Sequence, residues 1–388
     1  MSLNKQTNIP IHLVSLSGGG YRAALFHCGV LRALHLLHRF APDPPPGMGS
    51  PALYVSGVSG GAISASLWRL TLAYRGLDDI VAMWPERMLL DLIDRTPAFG
   101  GKWNWFVRRI FRLSSWKDHI DKWWMRTTAQ AERNSTGVAL GTIGNFLVEF
   151  LDFRSGELLI HDGEFFCRPE GEFFEYGPSS VFWPITLPIT EAIAASTAVP
   201  GYFAGRTSTS TPPGGAQQTA ELVDGGVVDN QAVVVFAYIL QRDLPPIPTI
   251  NWVTSHAGGQ PKVPKSARSR PLLGNPVAKL SLWDFAARLV GDLSQPITSD
   301  ALTALAIKHR NATVTRLRAG LLPYVGNPWL ITKRFPTAES MGLMETTLGR
   351  IARDDAIAVM SLGAETASAG LGMSKADRAT LRAAFAGL

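Results

Sequence analysis

Cysteine is nearly absent: the 388-residue chain has two, Cys28 and Cys167, too few for a disulfide framework or a closed zinc site. Cys28 falls in an apolar helical pattern and Cys167 in a Phe-rich stretch, so both read as small buried hydrophobes in a reducing compartment. No run reaches the ~20 apolar residues of a membrane-spanning helix. Met1 to Pro10 is polar, without an apolar core and cleavage site, which speaks against a conventional signal peptide. Nor does a calcium-loop pattern of spaced carboxylates occur. These absences imply no metal and no organic cofactor, and a cytoplasmic protein, free or peripheral at a membrane.

Apolar residues make up 46% of the chain and charged residues 18%, enough for a large globular core. No charge block, long linker or shift in composition marks a boundary, so residues 8–388 are expected to form one domain. A net charge of +6 favours an anionic partner, either nucleic acid or an anionic membrane surface.

Residues 12–17 read as a short strand that enters Gly18-Gly19-Gly20 and then a helical pattern from Tyr21 to Phe40. The Pro- and Gly-rich stretch Pro42 to Pro51 returns the chain to a second strand, Leu53 to Ser56, which passes through Gly57-Val58-Ser59-Gly60-Gly61 into a helix ending near Leu70. Two β-turn-α units this close imply parallel strands, with both glycine turns at their carboxyl edge. Further on, Trp84 to Arg133 reads as helical, Glu157 to His161 and Trp183 to Leu187 as strands, and Thr190 to Ala198 as a helix. Thr207 to Thr219 reads as a surface loop or hairpin tip. After it come a helical run near Ala232 to Leu240, a β-rich run from Ile247 to Thr254, a basic loop from Gln260 to Pro271, and a mostly helical remainder.

A serine hydroxyl becomes a useful nucleophile only when it is exposed, held beside a base and faced by donors for the oxyanion. Gly-x-Ser-x-Gly between a strand and a helix supplies the first condition for Ser59, because side chains two residues either side would clash in so tight a turn. The helix starting at Gly60 aims free amides and a positive dipole end at the reacting oxygen. Gly18 to Gly20 can form a nest of backbone amides for an anion, and Arg22 just beyond offers a charge for phosphate or carboxylate. A nucleotide loop is the rival reading of the nest, but neither Gly-x-Gly-x-x-Gly nor a Gly-Lys-Ser/Thr ending is present. Asp224 is the leading base candidate, since it ends an apolar run and Gly225-Gly226 follows at once; a plain Asp-Gly turn is the alternative.

Ser17-Gly18-Gly19-Gly20-Tyr21-Arg22, Gly57-Val58-Ser59-Gly60-Gly61 and Asp224-Gly225-Gly226, in this order, resemble the patatin-like phospholipase family. The first block is similar also to the cytosolic phospholipases. Ala194 to Phe203 resembles the helix and turn that precede the family's aspartate. The resemblance spans roughly residues 12–240; within it, Ser17 stands where patatins usually carry aspartate and Ala23 where many carry glycine. It implies a three-layer α/β/α sandwich with a mainly parallel central sheet and a helical cap. It further implies a Ser59-Asp224 dyad without histidine, an oxyanion hole at Gly18, Gly19 and Gly20, substrate contacts at Arg22 and Gly60, and an acyl-enzyme released by water. The expected partner is a phospholipid or other lipid ester.

From Lys102 to Arg126 there are five tryptophans, seven basic residues and two acidic ones. This mixture suits either a membrane interface or a cap helix packed on the core, placed around residues 84–133. Nucleic-acid binding would leave all three glycine motifs unexplained. An α/β-hydrolase triad of Ser59, Asp224 and His256 or His309 is the chemical rival, though such enzymes place several strands before the nucleophile and here there is one. A non-catalytic lipid-binding protein is the rival from another class.

Overall fold

Alternation along the first strands decides the layering. Val14, Leu16, Val55, Val253 and Leu317 share one buried cluster with the helices, whereas Ser15 on the opposite face accepts a hydrogen bond from Trp252 Nε1 at 3.0 Å. The computed structural model describes residues 11–37, 53–73, 83–96, 116–134, 145–152, 157–161, 165–168, 181–184, 189–199, 205–210, 217–227, 229–233, 236, 250–258, 312–319, 328–344 and 349–388. Ten strands are among them: β1 Ile11–Leu16, β2 Leu53–Val58, β3 Asn145–Asp152, β4 Glu157–His161, β5 Phe165–Arg168, β6 Val181–Pro184, β7 Arg206–Ser210, β8 Gln218–Asp224, β9 Ile250–His256 and β10 Ala312–Arg318. The helices are α1 Gly20–Leu36, α2 Gly60–Ala73, α3 Trp84–Asp94, α4 Trp116–Asn134, α5 Ile189–Ser196, α6 Ala338–Gly342, α7 Arg353–Gly370 and α8 Lys375–Ala386.

Five strands run parallel in the order β10-β9-β1-β2-β3, and β4, β5 and β6 continue the sheet antiparallel. With helices on both sides this is a three-layer α/β/α fold. β3 carries two partners along one edge. Val58 of β2 faces Glu149, and Asp224, the last residue of antiparallel β8, faces the very next residue, Phe150. Because β4 occupies the other edge from Val148 onward, β8 meets β2 end to end. The carboxyl ends of the two strands are thereby brought together.

α1 is buried along nearly its whole length because α7 covers the side the sheet does not. The two helices cross at a pair of glycines: a Cβ on Gly29 would lie 1.9 Å from the Met360 carbonyl oxygen, and one on Gly363 1.9 Å from that of Phe26. Arg32 on α1 makes a bidentate pair with Glu86 on α3, at 2.8 and 2.6 Å, with Trp68 of α2 under its guanidinium at 5.1 Å. Both charged groups are buried, so the pair fixes three helices to one another.

Four strands lie where none was expected: β3 and β5 in the Phe-rich region, β7 at the start of the stretch read as a surface loop or hairpin tip, and β10 in the remainder read as helical. In α4, Trp116 and Trp123 are buried in the core cluster and Trp124 packs against it, while Met125 is exposed. Trp123 also donates to the Met88 carbonyl at 3.0 Å. The tryptophans described in this segment therefore belong to a packed helix. Trp103, Trp105, Pro42 to Pro51, Gln260 to Pro271, most of Ala232 to Leu240 and His309 lie outside the described residues. Among the described residues no helix is long and apolar enough to cross a membrane.

Candidate active site

β1 and β2 are paired with Leu16 opposite Gly57, so both strands release their chains into glycine turns at the same level. At the second turn Ser59 adopts φ 54°, a left-handed conformation unusual for a residue with a side chain. Such strain costs about 1–3 kcal/mol and persists only where neighbours impose it. Here they do. The Ser59 amide donates to Ser196 Oγ at 2.8 Å, its carbonyl accepts from Ala62 at 3.0 Å, and a Cβ on Gly61 would lie 2.2 Å from the Leu16 carbonyl oxygen. The Gly60 backbone is pressed equally closely on the carbonyl of Gly20.

The first turn leans on Ser59: a Cβ on Gly18 would come within 3.2 Å of Ser59 Cβ. Gly19 and Gly20 have φ of 134° and 60°. α1 begins here without a side-chain cap and without an acidic residue in its first turn, and α2 also lacks an acidic residue in its first turn. Neither helix end thus carries a negative side chain of its own in its first turn to offset its positive dipole end. The three glycines are not equivalent. Gly18 N–H is committed to the Asn230 carbonyl at 2.8 Å, whereas those of Gly19 and Gly20 donate to no acceptor among the described residues.

Asp224 stands at the end of β8, its carboxyl near enough to the Ser59 side chain to be influenced by it. Gly226 N–H donates to its Oδ1 at 2.8 Å. Burial pushes the carboxyl up to about 7, against the opposing pull of the Ser59 side chain and the Gly226 hydrogen bond. The main chain of Asp224 is tied as well, its amide donating to the Ala198 carbonyl at 3.1 Å. Residues 196–198 therefore hold both partners, Ser59 through Ser196 and Asp224 through Ala198. Thr197 between them accepts from Trp116 Nε1 at 2.6 Å, and Trp116 packs on Tyr21 with ring centroids 6.2 Å apart.

His256 is elsewhere. It ends β9, which flanks β1 on the side away from β2, about 10 Å from β2 at ordinary strand spacing. Asp224 lies on the opposite side of β2, and the imidazole faces its own main chain, Nδ1 accepting from Gly258 N–H at 3.2 Å. Arg22 donates to the Met344 carbonyl, and its guanidinium lies beside Gly19, a terminal nitrogen 3.2 Å from where a Cβ there would be. Three residues around the site were not anticipated: Ser196, Asn230 and His27. The only sequence signals were the Ala-Ala-Ser-Thr-Ala run and the Asp-Asn that closely follows the Asp-Gly-Gly turn.

No curated protein matches the chain in sequence. Among solved structures, human GIVD cytosolic phospholipase A2 bound to methyl gamma-linolenyl fluorophosphonate and terbium chloride aligns with TM-score 0.42 and 12% identity, over 100% of this chain and 61% of that one. A second structure of the human enzyme gives 0.45 and 12%, over 99% and 64%. The chain thus spans less than two thirds of the length of either. The sequence profile of patatin-like phospholipases matches residues 14–237, a stretch that holds both glycine turns, Ser59 and Asp224. The chain belongs to the patatin-like phospholipase family.

Proposed function

We propose that this protein is a lipid acyl hydrolase that cleaves carboxylic esters of the phospholipid or lysophospholipid type through a Ser59-Asp224 dyad. The observation that carries the reading is the buried Asp224 carboxyl interacting with the Ser59 side chain. Asp224 takes the hydroxyl proton as Ser59 Oγ attacks the ester carbonyl. The developing oxyanion is received by Gly19 and Gly20 N–H, Gly18 serving to shape the turn. The proton passes to the leaving alcohol, and a water deprotonated by Asp224 then releases the acyl group. Gly60, whose lack of a side chain lets the two glycine turns close on each other, and Arg22 are assigned to substrate binding, Arg22 to the lipid phosphate. The net positive charge favours peripheral contact with an anionic membrane.

The test is lipid hydrolysis, read by mass spectrometry of mixed phospholipid vesicles incubated with each variant. Ser59→Ala and Asp224→Asn are expected to lose at least about 10³-fold in rate, and His256→Ala to stay within about 3-fold of the parent. Equal loss in His256→Ala would move the assignment to a triad. Intact lipid with the folded parent protein would leave a lipid-binding role instead.

A further inference from the structure

His27 has no part in the mechanism above, yet it is fully buried on α1 beneath the first glycine turn. Its Nε2 lies 2.9 Å from the Ser17 carbonyl oxygen. A carbonyl can only accept, so the ring proton sits on Nε2. Nδ1 of the neutral ring must then accept, and the Ser255 hydroxyl donates to it at 2.9 Å. Ser17 Oγ, 3.2 Å from Nε2, accepts from the Ala257 amide at 3.1 Å and donates to the Gly18 carbonyl at 3.2 Å. The other side of the same peptide unit is held by Asn230, whose carbonyl takes the Gly18 amide.

We propose that His27 is the positioning residue of the oxyanion turn. By donating from Nε2 to the Ser17 carbonyl it fixes the plane of the Ser17–Gly18 peptide, from which Gly19 and Gly20 are aimed at Ser59. The inference rests on the acyl-hydrolase reading. Burial drives the ring pKa down to about 3; the Ser17 carbonyl bond opposes this, and the nearby His256 and Arg22 push the same way as burial. The ring therefore stays neutral wherever the enzyme works, and its hydrogen bond does not vary with pH. A mispointed turn weakens only interactions made in the transition state, so the cost falls on kcat and not on KM.

The experiment uses the full chain, a soluble p-nitrophenyl ester for kcat and KM, and labelling of Ser59 by an alkyl fluorophosphonate. His27→Leu is expected to lower kcat and the labelling rate by about 10–100-fold with KM within about 3-fold. His27→Gln, whose amide can still donate to the carbonyl, recovers most of that loss. Should His27→Leu fail to fold, Ser255→Ala removes only the ring's anchor and is expected to lower kcat by about 3–10-fold at unchanged KM. All variants keep the parent's pH profile. The inference is overturned by a folded His27→Leu with parental kcat, by Gln faring no better than Leu, by parental kcat in Ser255→Ala, or by a limb of the pH profile that vanishes with His27. Ser59→Ala and the parent separate the two layers: a parent that neither hydrolyses the ester nor is labelled at Ser59 removes the acyl-hydrolase reading and this inference with it.

Discussion

Asp224 is placed under two opposed requirements by one environment. As the proposed general base it must be ionised, and burial raises this carboxyl to about 7, so on that proposal hydrolysis should climb with pH across neutrality and level off above it. Stability runs the other way. An unfolded aspartate releases its proton near 3.8, whereas the folded one keeps it to about 7. The contribution is therefore full below the lower value and lost as pH rises through the upper one, a span on the order of 4 kcal/mol. Asp224→Asn is accordingly expected to melt higher than the parent at pH 8 and close to it at pH 4 while losing hydrolysis. Thermal unfolding at the two pH values checks this, and a lower Tm for the variant at pH 8 would contradict it. Ser59 shows the same trade, its left-handed backbone being held in place by Ser196 and Gly61.

Among the helices, the Arg32–Glu86 pair is the most exposed to a single change because it is buried. Removing one partner strands the other charge, so Glu86→Gln should cost about 3–5 kcal/mol in urea unfolding, with Arg32→Met/Glu86→Leu recovering much of it. A loss under about 1 kcal/mol would show the pair to be idle. The βα units around Ser59 were legible from sequence because strand, glycine turn and helix follow one another without interruption. β4 was legible for its short apolar run. β10 was not, since among its described side chains Leu317 alone is buried and no apolar alternation marks it. The tryptophans of α4 show another limit. Mixed aromatic and basic residues suit a membrane face and a packed helix alike, and only the burial of Trp116 and Trp123 separates them. Ser196 and Asn230 were hard to see for a third reason: each acts on a turn that the fold, not the chain, brings near, whereas His27 follows its turn on α1 but carries no motif of its own.

Across the whole molecule the core does not end with the family match at residue 237. α7, far beyond it, shares the main cluster with α1 and closes on it at Gly29 and Gly363. The other long-range event is the end-to-end meeting of β2 and β8 on consecutive residues of β3. Its consequence appears in time. Each half of the proposed dyad can acquire its local turn early, but the two meet only after one edge of β3 has been paired by both β2 and β8, segments widely separated along the chain. Loop closure of that kind is slow and comes late. During refolding from denaturant, ester hydrolysis should therefore return after the helical circular dichroism signal, and simultaneous recovery would refute this order. A chain caught halfway, with its helices formed and its apolar surface still showing, would thus be chemically silent toward the lipids it touches.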